Sequence, residues 1–155
     1  MMIVGIDPGA SGALAFFNME AGTIKIVDMP IIEIERGGKT KREISPHFVA
    51  AAIRDFKPNV AWIEKVGAMP GQGVSSMFQF GRGVGLVEGV LAGLNVPLNY
   101  VTPQAWQKAV SVRGGKDGSR LRAVELFPAY ASLFRLKKWD GRSDAALIAW
   151  YGATR

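Results

Sequence analysis

Ile3-Val4-Gly5-Ile6-Asp7-Pro8-Gly9-Ala10-Ser11-Gly12-Ala13-Leu14-Ala15-Phe16-Phe17 is the stretch on which the reading of the fold turns. A short β-branched run, Ile3–Asp7, ends in a carboxylate. Pro8 to Gly12 is made of residues that break regular structure, so it reads as a turn. The apolar run Ala13–Met19 follows. Beyond the Glu20-Ala21-Gly22 turn, Thr23–Met29 alternates Ile24 and Ile26 with polar Lys25, which suits a third strand. The three runs predict an antiparallel meander of short hairpins.

Further along, the pattern changes. Glu33–Glu43 is charged, with Gly37-Gly38 at its centre, and reads as an exposed loop or a flexible ribbon tip. Ser45-Pro46 has the form of an N-cap followed by proline at the first helical position, which predicts a helix through Phe48, Val49, Ala52, Ile53 and Phe56. Lys57-Pro58-Asn59 ends it. Val60–Glu64 is a buried strand that again ends in a carboxylate. After a loop at Gly67–Gly73, a long helix is expected over Ser75–Leu94 and a short strand over Leu98–Val101. Thr102-Pro103 caps a helix holding Trp106, and Gly114-Gly115 breaks the chain. Helices over Ser119–Phe127, capped by Asp117, and over about Asp140–Tyr151 complete it. This order predicts an α/β fold, a five-stranded mixed sheet flanked by helices, as one domain over residues 1–155.

Composition narrows the class. The chain has 155 residues, 48% of them hydrophobic, enough to bury a core and too apolar for a disordered chain. It contains no cysteine, so disulfides and thiolate metal sites are excluded. No segment reaches the ~18 apolar residues of a membrane span. Met1 to Asp7 lacks a basic region before its apolar run and reads as a strand rather than a signal peptide, so a cytoplasmic protein is expected. The net charge of +6, from 19 Lys+Arg against 13 Asp+Glu, favours contact with phosphates or acidic surfaces, ordinary solubility charge being the plain alternative.

Four carboxylates carry the chemistry. Asp7 and Glu64 each end an apolar strand just before a glycine-containing loop, and strand ends are where open α/β sheets place their sites. A carboxylate there is costly to bury unless it is hydrogen-bonded or meets a cation. Asp140 and Asp144 are four apart at the start of the last helix, hence on one face. Each has a second reading: Asp140 as an N-cap, Asp144 as a first-turn surface acid. The run Ala145-Ala146-Leu147-Ile148-Ala149-Trp150 directly after Asp144 is small or apolar nearly all round, so the helix is buried and the aspartate that opens it needs a partner. An all-oxygen donor set suits magnesium or manganese and not zinc. Two bound divalent cations would also reconcile four acids with a polyanionic substrate.

These motifs, Gly5-Ile6-Asp7-Pro8-Gly9 with Ser11-Gly12, Ile63-Glu64-Lys65-Val66, and Asp140…Asp144-Ala145-Ala146-Leu147-Ile148-Ala149, resemble those of the RuvC-type Holliday junction resolvases, of the RNase H-like superfamily. Ala68-Met69-Pro70-Gly71-Gln72-Gly73 with Phe80-Gly81-Arg82, Thr102-Pro103-Gln104-Ala105-Trp106 and Gly115-Lys116-Asp117 are similar to the shorter phage-encoded branch. The resemblance spans nearly the whole chain in order. It implies an RNase H-like fold, magnesium-dependent cleavage of four-way DNA junctions, a homodimer, and catalytic roles for Asp7, Glu64, Asp144 and Asp140. Two features depart from the cellular enzymes. There the last two acids are three apart, whereas here that position is Gly141 and Asp140 must reach from one residue further back. The aromatic wedge that follows their second-strand glutamate is replaced by Gly67, with Met69 nearby as an apolar wedge or as a loop methionine covering the core.

Basic residues crowd the late part of the chain. Lys108, Arg113, Lys116, Arg120 and Arg122 precede Arg135, Lys137, Lys138 and Arg142, while Lys39, Lys41 and Arg42 lie in the charged loop. Candidate DNA contacts are Lys108, Lys116, Arg82, Arg120, Lys41, Arg42 and Met69, with a solvated surface as the alternative for each. Lys116, in a glycine-rich stretch, is also a candidate to stabilise charge on the scissile phosphate. The tryptophans read as core or edge aromatics, with Trp139 the one to test for DNA contact. Gly81, Gly85, Gly89 and Gly93 recur every fourth residue in the long helix, which fits close packing within the chain or against a second subunit. Rival readings are a nuclease of the same fold acting on flaps or RNA–DNA hybrids, a junction-binding protein without catalysis, and an actin-like nucleotide-binding fold, for which the chain is short.

Overall fold

The computed structural model describes residues 1–155. The expected meander is present as β1 (Met2–Asp7), β2 (Ala13–Asn18) and β3 (Thr23–Asp28). Both pairings are antiparallel, with Gly5 opposite Ala15 and Ala15 opposite Ile26.

The charged stretch expected as a loop or ribbon tip is a regular hairpin. β4 (Ile31–Arg36) and β5 (Lys39–Ile44) pair only with each other, outside the main sheet. Gly37 (φ 59°) and Gly38 (φ 72°) both occupy the left-handed region that a two-residue hairpin turn demands. The strands were hidden because the ribbon buries a side chain only at its root, through Ile44, so no apolar alternation marks them.

α1 (Pro46–Phe56) begins as expected, with the backbone N–H of Phe48 donating to Ser45 Oγ at 3.4 Å. β6 (Val60–Glu64) then runs parallel to β1. α2 (Val74–Gly93) crosses to β7 (Leu98–Val101), which runs parallel to β6. The sheet order is β3-β2-β1-β6-β7. Thr102 Oγ1 accepts from the N–H of Ala105 and opens α3 (Pro103–Ala109). α4 (Gly118–Leu126) and α5 (Asp140–Ala153) follow. Between them Pro128–Phe134 forms short 3-10 turns broken by a kink at Tyr130, which no periodicity revealed, and it buries Phe134.

The two faces of the sheet are covered differently. Val4, Ile6, Leu14 and Phe16 pack under α1 and α2 through Val49, Ile53, Val87 and Leu91. On the other face, Ala13, Ala15 and Phe17 meet α3, α4 and α5 through Trp106, Ala123, Leu147 and Ile148. Burial of each large aliphatic side chain contributes about 1.5–3 kcal/mol. Gly5 lies on this second face. A Cβ there would stand 2.2 Å from the carbonyl oxygen of Ala145 and 2.3 Å from the nitrogen of Ala149, so only glycine lets α5 rest directly on β1. No helix is long and apolar enough to cross a membrane.

Candidate metal centre at the strand ends

Three carboxylates converge for reasons visible in the register. Ile6 of β1 is opposite Ile63 of β6, so the next residues, Asp7 and Glu64, leave two adjacent parallel strands side by side. Neighbouring strands lie about 4.8 Å apart. Both side chains fall on the face covered by α5, since Gly5 and Asp7 share a face and Gly5 is opposite Trp62.

α5 supplies the third acid. With Ala145 and Ala149 seated over Gly5, the first turn of the helix lies over Asp7. A Cβ on Gly141 would stand 2.6 Å from the carbonyl oxygen of Ser11, 2.7 Å from Gly12 Cα and 3.1 Å from Asp7 Oδ2. Position 141 therefore has no room for an acid. The acid that precedes Asp144 in α5 stands one residue earlier, at Asp140.

The electrostatics show three acids sharing one poorly solvated space. Burial pushes Asp7 up to about 7, with Asp144 and then Glu64 adding repulsion, against a backbone N–H from Gly9. Burial likewise pushes Asp144 up to about 6. The Ser119 hydroxyl pulls it down, and Glu64 and Asp140 raise it. Glu64 is raised by burial and lowered by the indole of Trp106, whose Nε1–H donates to Oε1 at 2.9 Å. Asp144 Oδ1 is buried with no hydrogen-bond partner. As they stand, no three of these side chains form a finished cage for one ion.

Asp140 sits at the first position of α5, largely exposed, and makes no cap hydrogen bond. It pairs instead with Arg120 Nε at 3.5 Å. Asp117, expected to cap α4, does not cap it either. Its carboxylate accepts from the same arginine, which also donates to the carbonyl of Arg135 at 2.8 Å. Arg120 is thus a clamp between Asp117 and Asp140.

Several other arginines have partners inside the chain. Arg42 donates to the carbonyl of Ala10 at 3.2 Å, in the turn that follows Asp7. Arg82 pairs with Glu43 at 3.2 Å. Arg142 grips Asp28 with Nε at 2.6 Å and a second nitrogen at 2.7 Å, and its guanidinium lies 3.9 Å from the ring centre of Trp139. Lys108, Lys116 and Lys41 are exposed and have no salt-bridge partner. Lys116 lies one residue before the Asp117–Arg120–Asp140 chain, after Gly114 (φ 90°) and Gly115 (φ 64°). Met69 is 63% exposed, so it does not cover the core. It borders an open depression with Glu64, Lys65, Phe80, Thr102 and Gln104.

Sequence reasoning missed Trp106 and Ser119 as neighbours of the acids. Trp106 is fully buried, as expected of a core aromatic, yet its one polar atom serves Glu64. The glycine stripe is resolved on one side only. Nothing within the chain lies within 4 Å of a Cβ placed at Gly81, Gly85, Gly89 or Gly93, so packing inside the chain does not explain it.

No family model matches the chain. The crossover junction endodeoxyribonuclease RuvC of Pseudothermotoga lettingae is 25% identical over 154 residues, which cover 97% of this chain and 92% of that protein. Among solved structures, T. thermophilus RuvC in complex with Holliday junction substrate superposes with a TM-score of 0.67 at 14% identity, covering 99% of this chain and 96% of the other. The yeast mitochondrial Holliday junction resolvase Ydc2 gives 0.54 at 19% identity, over 95% and 75%.

Proposed function

We propose that this chain, which shares the RNase H-like fold of the RuvC-type resolvases, is a metal-dependent endonuclease that resolves four-way DNA junctions. One observation carries the reading. Asp7, Glu64 and Asp144, from two adjacent parallel strands and a helix, meet on one face of the sheet, with Asp144 Oδ1 buried and unpartnered. The homology to an endodeoxyribonuclease over nearly the full length of both proteins supports it, with residues 1–155 acting as one nuclease domain.

The donor set fits a hard divalent cation, since all its atoms are carboxylate oxygens and burial leaves them short of water. Asp7, Glu64 and Asp144 would hold magnesium, with manganese able to substitute, and Asp140 would join once released from Arg120. Held by these carboxylates, a divalent cation would supply Lewis-acid chemistry: activation of a water for in-line attack on phosphorus and neutralisation of charge on the leaving 3′ oxygen. The remaining work falls to side chains of the chain itself. Trp106 orients Glu64, and Ser119 steadies Asp144. Lys116 and Lys108 contact phosphates, and no protein nucleophile is needed. Arg42, Arg82 and Arg120 serve mainly to position the ribbon, α2 and the entrance to α5.

A homodimer fits the need for two matched cuts. The open glycines of α2, beside the exposed Phe78 and Val74, offer a face on which a second copy can pack closely. A Gly85→Arg variant should be monomeric in sedimentation.

The deciding experiment is cleavage of a panel of four-way junction, flap, RNA–DNA hybrid and linear duplex, with and without magnesium. Junction cleavage leaving 5′ phosphate and 3′ hydroxyl ends, abolished by Asp7→Asn while junction binding persists, is the expected result. Preference for the hybrid or flap would replace the substrate. Binding with no cleavage under any metal would replace the enzyme by a junction-binding protein.

A further inference from the structure

The β4–β5 ribbon has one face whose outer end carries only cations. Its register places Arg36 directly opposite Lys39 and Ile34 opposite Lys41, so Arg36, Lys39 and Lys41 alternate onto the same side, beyond Ile32 and Ile34. All three are exposed and take part in none of the ion pairs of the chain. The opposite face is of the other sign, with Glu33 and Glu35 against the single cation Arg42. Thr40 Oγ1 donates to Glu35 Oε1 at 2.7 Å, and Arg42, cross-strand from Glu33, is turned to the carbonyl of Ala10.

Like charges directly opposite on a hairpin are destabilising, and an isolated two-stranded ribbon is marginal in any case. The arrangement makes sense if the missing counter-charge comes from outside. The root of the ribbon is tied firmly to the site. Arg42 holds the Asp7 turn, Glu43 pairs with Arg82, and Ile44 is buried against α2, with its side chain 3.0 Å from where a Cβ on Gly83 would stand. Lys39 lies three residues beyond Arg42, roughly 10 Å along the strand. The cations are therefore fixed relative to the carboxylates but displaced from them.

We infer that the Arg36–Lys39–Lys41 face of the ribbon is a second grip on the DNA backbone, binding phosphates away from the cut. This rests on the proposed nuclease reading and adds a distinct surface to it. The interaction is one of charge with phosphate and carries no base preference.

The test is binding of a four-way junction in EDTA, which withholds the divalent metal that the proposed cleavage needs, titrated across salt concentrations. A combined Arg36→Ala, Lys39→Ala, Lys41→Ala variant should melt as the wild type does and bind about 10-fold or more weakly. Its salt slope should be shallower by roughly 2 to 3, since each phosphate that the protein ceases to neutralise removes about 0.9. A Lys39→Arg, Lys41→Arg variant should keep the wild-type slope. An unchanged slope in the alanine variant, with the wild type binding normally, overturns the ribbon inference alone. A wild type that binds no DNA overturns both it and the nuclease reading.

Discussion

The indole N–H of Trp106 donates to Oε1 of Glu64 at 2.9 Å, across 42 residues of sequence. The tryptophan is fully buried in the layer beneath α5, so the bond fixes a mostly buried carboxylate from a rigid support. A hydrogen bond to a charged group is worth about 1.5–3 kcal/mol, and removing such a supporting bond lowers metal affinity about 10- to 100-fold. Trp106→Phe keeps the aromatic packing and removes the donor. Manganese binding, followed calorimetrically, should weaken by at least ~10-fold, and junction cleavage should need correspondingly more metal. A fall in melting temperature with metal affinity intact would mark the bond as purely structural.

Metal and pH should act on stability through the same carboxylates. In the unfolded chain Asp7 and Asp144 titrate near 3.8, and in the fold they are pushed to about 7 and about 6. Between those values the native state holds protons that the unfolded chain has released. Stability of the metal-free protein therefore falls as pH rises through this window, and it levels off above it. The melting temperature in EDTA should be higher near pH 5 than near pH 8. Magnesium or manganese should raise it at pH 8 and have little effect at pH 5. Asp7→Asn should flatten the profile. A metal-free melting temperature that climbs from pH 5 to pH 8 would contradict the buried-acid site.

The acids were legible in the sequence because each stands at a boundary that local rules mark: Asp7 and Glu64 at strand ends before breakers, Asp144 at the head of an apolar helix. The fold was legible for the same reason, since Ser45 and Thr102 cap helices where they were expected to. What escaped notice depends on partners distant along the chain. Arg142 meets Asp28 across 114 residues and Arg42 meets Ala10 across 32, so neither engagement has a sequence signature. The missing acid at position 141 was visible, but its cause, the carbonyl of Ser11 and the carboxylate of Asp7 against the helix, needed the packing of α5 on β1.

That packing gives a sharp prediction. A methyl group at Gly141 would meet Ser11 O at 2.6 Å and Gly12 Cα at 2.7 Å, both backbone atoms that cannot rotate away. Gly141→Ala should move the Asp7 turn relative to α5, costing about 1–3 kcal/mol as overpacking does. Cleavage should fall by at least ~100-fold, the scale on which a misplacement of about 1 Å is felt. Gly81→Ala, at an open position inside α2, should instead stabilise the monomer by about 0.5–1 kcal/mol, because glycine in a helix interior costs about that much against alanine. Equal melting temperatures for Gly141→Ala and wild type would refute the close approach.

Arg142 separates structure from DNA contact. Its bidentate grip on Asp28 joins the end of β3 to the first turn of α5, and stacking on Trp139 holds the guanidinium plane. The pair draws Asp28 below its ordinary value, so its contribution is present at neutral pH and is lost on acidification. Lysine cannot reproduce the fork or the stack. Because Asp28 is more than half exposed, Arg142→Lys should cost only about 1 kcal/mol, or roughly 2–4 °C in melting temperature for a chain of this size. Junction affinity at fixed salt should stay near wild type, whereas Lys116→Ala should lower junction affinity or cleavage without a change in melting temperature. The opposite pattern, with Arg142→Lys fully stable but weak on DNA, would show that this arginine leaves Asp28 for a phosphate when the junction binds.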